Sequence, residues 1–103
     1  MITVIVTYQV KPEFAEENKR NIQHFLKDLK NLNSSDFRYN VYTKSDKVTF
    51  VHSSIYKNEQ VQTKVLNVPS FKEFQRLRDK SGLNGTHCVE ILDTIGSVND
   101  NFL

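Results

Sequence analysis

Residues 2–10, Ile-Thr-Val-Ile-Val-Thr-Tyr-Gln-Val, constrain the fold more than any other stretch. Ile2, Val4, Val6, Tyr8 and Val10 share one face at a period of two, and Thr3, Ile5, Thr7 and Gln9 share the other. The β-branched content marks a strand. The second face is only half polar, so the strand is expected to be central and covered on both sides.

The rest of the chain follows from changes of period. Lys11-Pro12-Glu13 opens a helix, with proline at the first helical position, where its missing N–H is not needed. Glu13, Glu16 and Glu17 begin that helix and Lys27 and Lys30 end it, which complements its dipole. Phe14, Asn18, Ile22, Phe25, Leu26, Leu29 and Leu32 form one stripe at spacings of three and four. A hairpin follows: Phe37, Tyr39 and Val41 alternate in the first arm, Lys44–Lys47 turn, and the second arm runs over 48–56. The next helical region breaks before Pro69, since the residue preceding proline disfavours α geometry. Asn58 is placed to cap its first piece, and Ser70-Phe71-Lys72-Glu73 reads as a capping box for the second. Gly82 ends that piece, Asn84-Gly85 is expected to turn, and a last strand is expected over 86–96.

The order strand, helix, strand, strand, helix, strand predicts an α+β, ferredoxin-like βαββαβ domain over residues 1–96, with a tail at 97–103. A four-stranded antiparallel sheet would carry both helices on one face. Ile5, Val51, Ile55 and Leu92, with Tyr42 or Cys88, would then line a bare apolar face. A second copy is the direct way to cover it, giving a homodimer through the open sheet face. The net charge of +2 is too small to imply nucleic acid or a membrane surface. No apolar run reaches the ~18 residues that span a bilayer. The lone Cys88 precludes an internal disulfide and fits a cytoplasmic protein.

The stretch Ser54-Ile55-Tyr56-Lys57-Asn58-Glu59, running on to Asn67-Val68-Pro69-Ser70-Phe71, resembles the antibiotic-biosynthesis monooxygenase-like family of the dimeric α+β-barrel group. Tyr56 stands at the family's aromatic position after the third strand, and Pro69-Ser70-Phe71 matches its small-Pro-His-Phe segment with serine for histidine. The resemblance in order and length covers about residues 2–96. It implies a homodimer whose subunits each hold a pocket between sheet and helices, and a cofactor-independent oxygenase as one function. The haem-degrading members' set is absent here. The chain has no Trp, residues 58–80 have no His, and the first strand offers Thr7, Tyr8 and Gln9 where those members have Asn. The glutamate found two residues before the aromatic is Ser54.

Tyr8, His52 and Tyr56 are the candidate catalytic residues, and Phe71 and Phe74 join them as candidate ligand-binding residues. A phenol can hydrogen-bond an acidic phenolic substrate or the anion it forms, and an imidazole can act as a base near neutral pH. The plain alternative is that all five are core residues. His87 and Cys88 open the last strand, and His24 is read as a surface residue. Arg76, Arg78 and Lys80 read as a basic helix end. His52, His87 and Glu90 or Asp93 have no metal-ligand spacing, so no metal and no cofactor are expected. Residues 47–52 carry one aromatic and no glycine, unlike an RNA-binding third strand. The functional expectation is a cofactor-independent monooxygenase-like protein holding a small, mostly apolar or aromatic molecule. The alternative is a non-catalytic ligand-binding or dimerisation module.

Overall fold

The computed structural model describes residues 1–99 and 102, with Ser81 and Thr86 described by backbone only. Strand β1 (Ile2–Val10) leads through a 3-10 turn at Pro12–Phe14 into helix α1 (Ala15–Leu29). Strands β2 (Phe37–Thr43) and β3 (Thr49–Tyr56) form the hairpin. Helices α2 (Glu59–Leu66) and α3 (Pro69–Leu77) follow, then a short π turn at Arg78–Gly82 and strand β4 (Leu83–Leu92). The sheet order is β2-β3-β1-β4, and every neighbouring pair is antiparallel. This is the ferredoxin-like α+β fold, with β1 central between β3 and β4 as expected, although within one chain its second face is not covered.

The register decides which side chains meet. Val6 lies opposite His52 and Tyr8 opposite Phe50. Val41 lies opposite His52, and Tyr39 opposite Ser54. The even-numbered residues of β1 and β3 and the odd-numbered ones of β2 therefore face the helices. Tyr8, Val10, Phe37, Phe50 and Tyr56 pack there against Ile22, Phe25 and Leu29 of α1 and Phe71 and Phe74 of α3. Ile5, Val51 and Ile55 point the other way and stay partly exposed, and Tyr42, Leu92 and Cys88 are exposed.

Local signals explain most boundaries. The Asn58 side chain accepts the Val61 N–H at 3.0 Å and caps α2. Asp46 closes the hairpin by accepting the N–H groups of Val48 and Thr49, which lets Lys47 take a positive φ of 67°. Two expectations need correction. Ser70 is not the cap of α3: Pro69, with its φ already helical, starts the helix one residue earlier, with Val68 as N-cap, and the buried Ser70 hydroxyl has no partner. Asn84-Gly85 is not a turn between elements. Both lie within β4, where Tyr8 faces His87 but Val10 faces Leu83, and Gly85 at φ +78° takes up the extra length as a bulge. The strand consequently starts and ends earlier than expected, and Asp93 and Ile95 lie beyond it.

Gly82 is fixed by packing. A Cβ there would overlap the Phe14 ring, and its carbonyl accepts the Lys11 N–H at 2.7 Å. Of the tail, residues 100, 101 and 103 lie outside the described residues. The Phe102 ring sits 5.5 Å from the Arg38 guanidinium carbon. No helix among the described residues is long and apolar enough to cross a membrane.

Candidate functional site

Between the helix-facing side of the sheet and helices α2 and α3 lies a cavity of about 270 Å³. His52, Ser54 and Tyr56 of β3, Tyr39 of β2 and Val4 and Val6 of β1 line one wall. Leu66, Phe71, Phe74, Gln75 and Arg78 line the other. Its deep residues His52, Tyr56, Phe71, Phe74 and Arg78 are all buried. Its rim runs between Leu66 on α2 and His87 and Val89 on β4, which are exposed. A wider groove of about 520 Å³ between α1 and β2 is more open and is bordered by the solvent-facing Lys27, Lys30 and Arg38.

A buried hydrogen-bond chain ends at the smaller cavity. Asn18 Nδ2 donates to Tyr8 Oη at 3.0 Å. Tyr8 Oη lies 2.8 Å from His52 Nε2, and Tyr39 Oη lies 2.7 Å from His52 Nδ1. Asn18 is wholly buried, Tyr8 is 1% exposed and His52 3%. Aromatic rings enclose the imidazole: Phe25 and Phe74 lie roughly parallel to it, at 6.2 and 5.4 Å between centroids, and Tyr39 stands edge-on at 5.7 Å.

This setting fixes the protonation states. Burial, reinforced by the Arg78 and His87 charges, lowers the His52 pKa to about 3, so the ring is neutral. Burial also raises the Tyr8 phenol well above its usual value, against the opposing effects of Asn18 and Arg78. Tyr39 is raised by burial and by its tyrosine neighbours. Tyr56 is raised by burial, with the Ser54 hydroxyl opposing. All three phenols therefore keep their protons. The base near neutral pH that the sequence offered in His52 is not what the fold builds, because both ring nitrogens are engaged and the charged form is disfavoured.

Among the described residues, Arg78 is the one Lys or Arg in the cavity wall. Its guanidinium lies over Tyr8 and Phe74, at 5.1 and 5.4 Å from the ring centroids, and its Nε donates to Asp79 at 2.9 Å. The Arg78 side chain is only 7% exposed while that of Asp79 is 57% exposed, so solvent weakens the pair and leaves much of the positive charge inside.

The fold thus brings His52, Tyr56, Phe71 and Phe74 to one cavity and sets Tyr8 behind His52. His87 reaches the rim. His24 is at the surface beside Asp28. Among the described residues no three metal-ligating side chains cluster. Three residues escaped the sequence reading of the site. Asn18 had a signal, being the one polar residue in the apolar stripe of α1. Tyr39 was visible only as a strand residue. Arg78 read as part of a basic helix end, but it follows Phe71 and Phe74 at helical spacing and so shares their buried face under Tyr8.

No family model matches the chain, and no curated protein does. Solved structures match in fold. An antibiotic biosynthesis monooxygenase structure superposes with a TM-score of 0.78 at 13% identity, covering 93% of this chain and 100% of that one. Rv0793 from Mycobacterium tuberculosis gives 0.79 at 13% identity, covering 95% and 98%. A conserved protein from Methanosarcina mazei Go1 gives 0.75 at 20% identity, covering 88% and 89%. The chain therefore has the ferredoxin-like fold of the antibiotic biosynthesis monooxygenase structures.

Proposed function

We propose that the chain is a cofactor-independent monooxygenase-like protein that binds a small, mostly apolar or aromatic molecule between the sheet and helices α2 and α3. The observation that carries this is the partly open cavity walled by Tyr56, Phe71 and Phe74, with Tyr39, His52 and Arg78 as polar residues of its lining. Apolar walls with a few fixed polar groups are what a small-molecule site needs. A volume of about 270 Å³ suits one or two fused rings. In the catalytic form of this reading, dioxygen is the oxidant. An activated methylene of a phenolic substrate loses a proton, its electrons pass to dioxygen, and CH2 becomes C=O. One oxygen atom stays in the product and the other leaves as water.

The second reading is a non-catalytic binding module. The neutral, doubly bonded His52 favours it, since both of its ring nitrogens are already engaged. In both readings the chain works as a cytoplasmic homodimer. Ile5, Val51, Ile55, Leu92 and Tyr42 give the open sheet face an apolar surface suited to a copy of itself.

Thermal-shift titration with quinols, hydroxynaphthoquinones and fatty acids tests binding, and an oxygen electrode run with the ligands that bind tests catalysis. Stabilisation by aromatic ligands is the expected result. No shift with any of them would sink both readings, and binding without oxygen uptake would leave the second.

A further inference from the structure

We infer that Asn18, which touches no part of the cavity, is a positioning residue that selects the His52 tautomer and thereby makes the Tyr39 hydroxyl a donor into the cavity. The inference rests on the proposed reading of this cavity as a ligand site.

The direction of the chain follows from counting donors. Neutral imidazole has one N–H and one lone-pair nitrogen. Tyr8 and Tyr39 flank it at similar distances, so these two contacts alone leave either tautomer open. Asn18 removes the symmetry. Its amide N–H occupies a lone pair of Tyr8 Oη, so the Tyr8 proton goes to the remaining neighbour, His52 Nε2. Nδ1 then carries the ring proton and donates to Tyr39 Oη. The Tyr39 proton then has no role left in the chain. Tyr39 lines both the small cavity and the wider groove, and the proton is assigned to the small cavity, where His52 also lies.

The orientation of the Asn18 amide is itself set by cost. As it stands, its Oδ1 and one of its two N–H groups are buried without a partner. Turned over, both N–H groups would be orphaned, and buried orphan donors are rarer than orphan carbonyl oxygens. The Tyr39 donor and the Arg78 charge share one cavity. Together they complement an oxygen acceptor or oxyanion, so the ligand class is an acidic enol or phenol rather than a plain hydrocarbon.

The ring-nitrogen shifts of His52 in a heteronuclear NMR spectrum of the free protein read the tautomer directly. The proton is expected on Nδ1. Asn18→Leu, with the same number and branching of heavy atoms, is expected to shift the tautomer ratio by about tenfold toward Nε2–H. A proton on Nε2 in the unaltered protein overturns the inference without any variant, and so does an unchanged ratio in folded Asn18→Leu protein.

Titration with lawsone, an acidic hydroxynaphthoquinone, supplies the cavity readout. Tyr39→Phe is expected to weaken its binding by about tenfold, and equal binding overturns the donor assignment. A proton on Nδ1 with no lawsone binding to the unaltered protein would uphold the tautomer selection and overturn the ligand reading.

Discussion

The two faces of this sheet are built from alternate residues of the same strands, yet they are finished differently. On the helix side Tyr8, Phe50, His52 and Tyr56 are each at most 3% exposed. On the other side Ile5, Val51 and Ile55 remain partly exposed, and Tyr42 and Leu92 are 56% and 44% exposed. The helix side is closed within one chain around Tyr8, Phe50, His52 and Tyr56, where it holds polar groups in fixed geometry because buried polar atoms must find partners. Val89 and Ile91 of β4, on the same side, stay 54% and 77% exposed. The open side has no cover of its own, and its partly exposed apolar side chains suit it to contact. Period-two alternation separates these two tasks at no cost in length.

Four changes would break or sharpen this contrast. The largest effect is expected on the helix side from Phe74→Ala. Phe74 is 1% exposed and packs against Phe25, Phe71, Tyr8 and His52. Its removal should lower stability by roughly 3–5 kcal/mol in urea denaturation. A loss below about 1 kcal/mol would mean that this face repacks freely and is no fixed site.

Acid comes next. The folded-state pKa of His52 is lowered from 6.5 to about 3. The unfolded chain takes up a proton as pH falls through 6.5, and the native chain does so only near 3. The His52 contribution is thus fully present above 6.5, and stability should fall by up to about 1.4 kcal/mol per pH unit between those limits. Denaturation midpoints across that range for the unaltered protein and for His52→Gln measure it. Equal slopes in the two proteins would show that His52 is not held neutral.

Tyr8→Phe is expected to cost roughly 1–3 kcal/mol, because it leaves Asn18 Nδ2 and His52 Nε2 buried without partners. A cost near zero would indicate that the chain relaxes and fixes nothing. The smallest effect on the fold is expected on the open side. Val51→Lys with Ile55→Lys should change the stability of the single chain by less than about 1 kcal/mol while shifting the light-scattering mass from dimer to monomer. A variant that unfolds, or a dimer that persists, would remove the contrast between a finished and an unfinished face.

Much of the fold was legible in the sequence because its signals are local. Pro69 separates α2 from α3, Asn58 caps α2, and the alternation in 2–10 and 49–56 sorts the two faces of β1 and β3. The signals misread were those where two local preferences compete. Pro69 outranked Ser70 as the start of α3, and Gly85 served a bulge inside β4 rather than a turn before it. The site was legible only in part. Tyr8, His52, Tyr56, Phe71 and Phe74 could be named from face and period, but Asn18, Tyr39 and Arg78 join them through contacts across 10 or more residues.

By itself the sequence determined the order of elements and which side chains share a face, since both depend on residues within a few positions of one another. The tertiary structure decided the rest. Register set His52 between Val6 and Val41, and packing of α1 brought Asn18 onto Tyr8. Packing of α3 on the sheet set Arg78 against the rings of Tyr8 and Phe74. Hydrogen-bond partners, burial and charge depend on distances between segments far apart in the chain, and no local pattern encodes them.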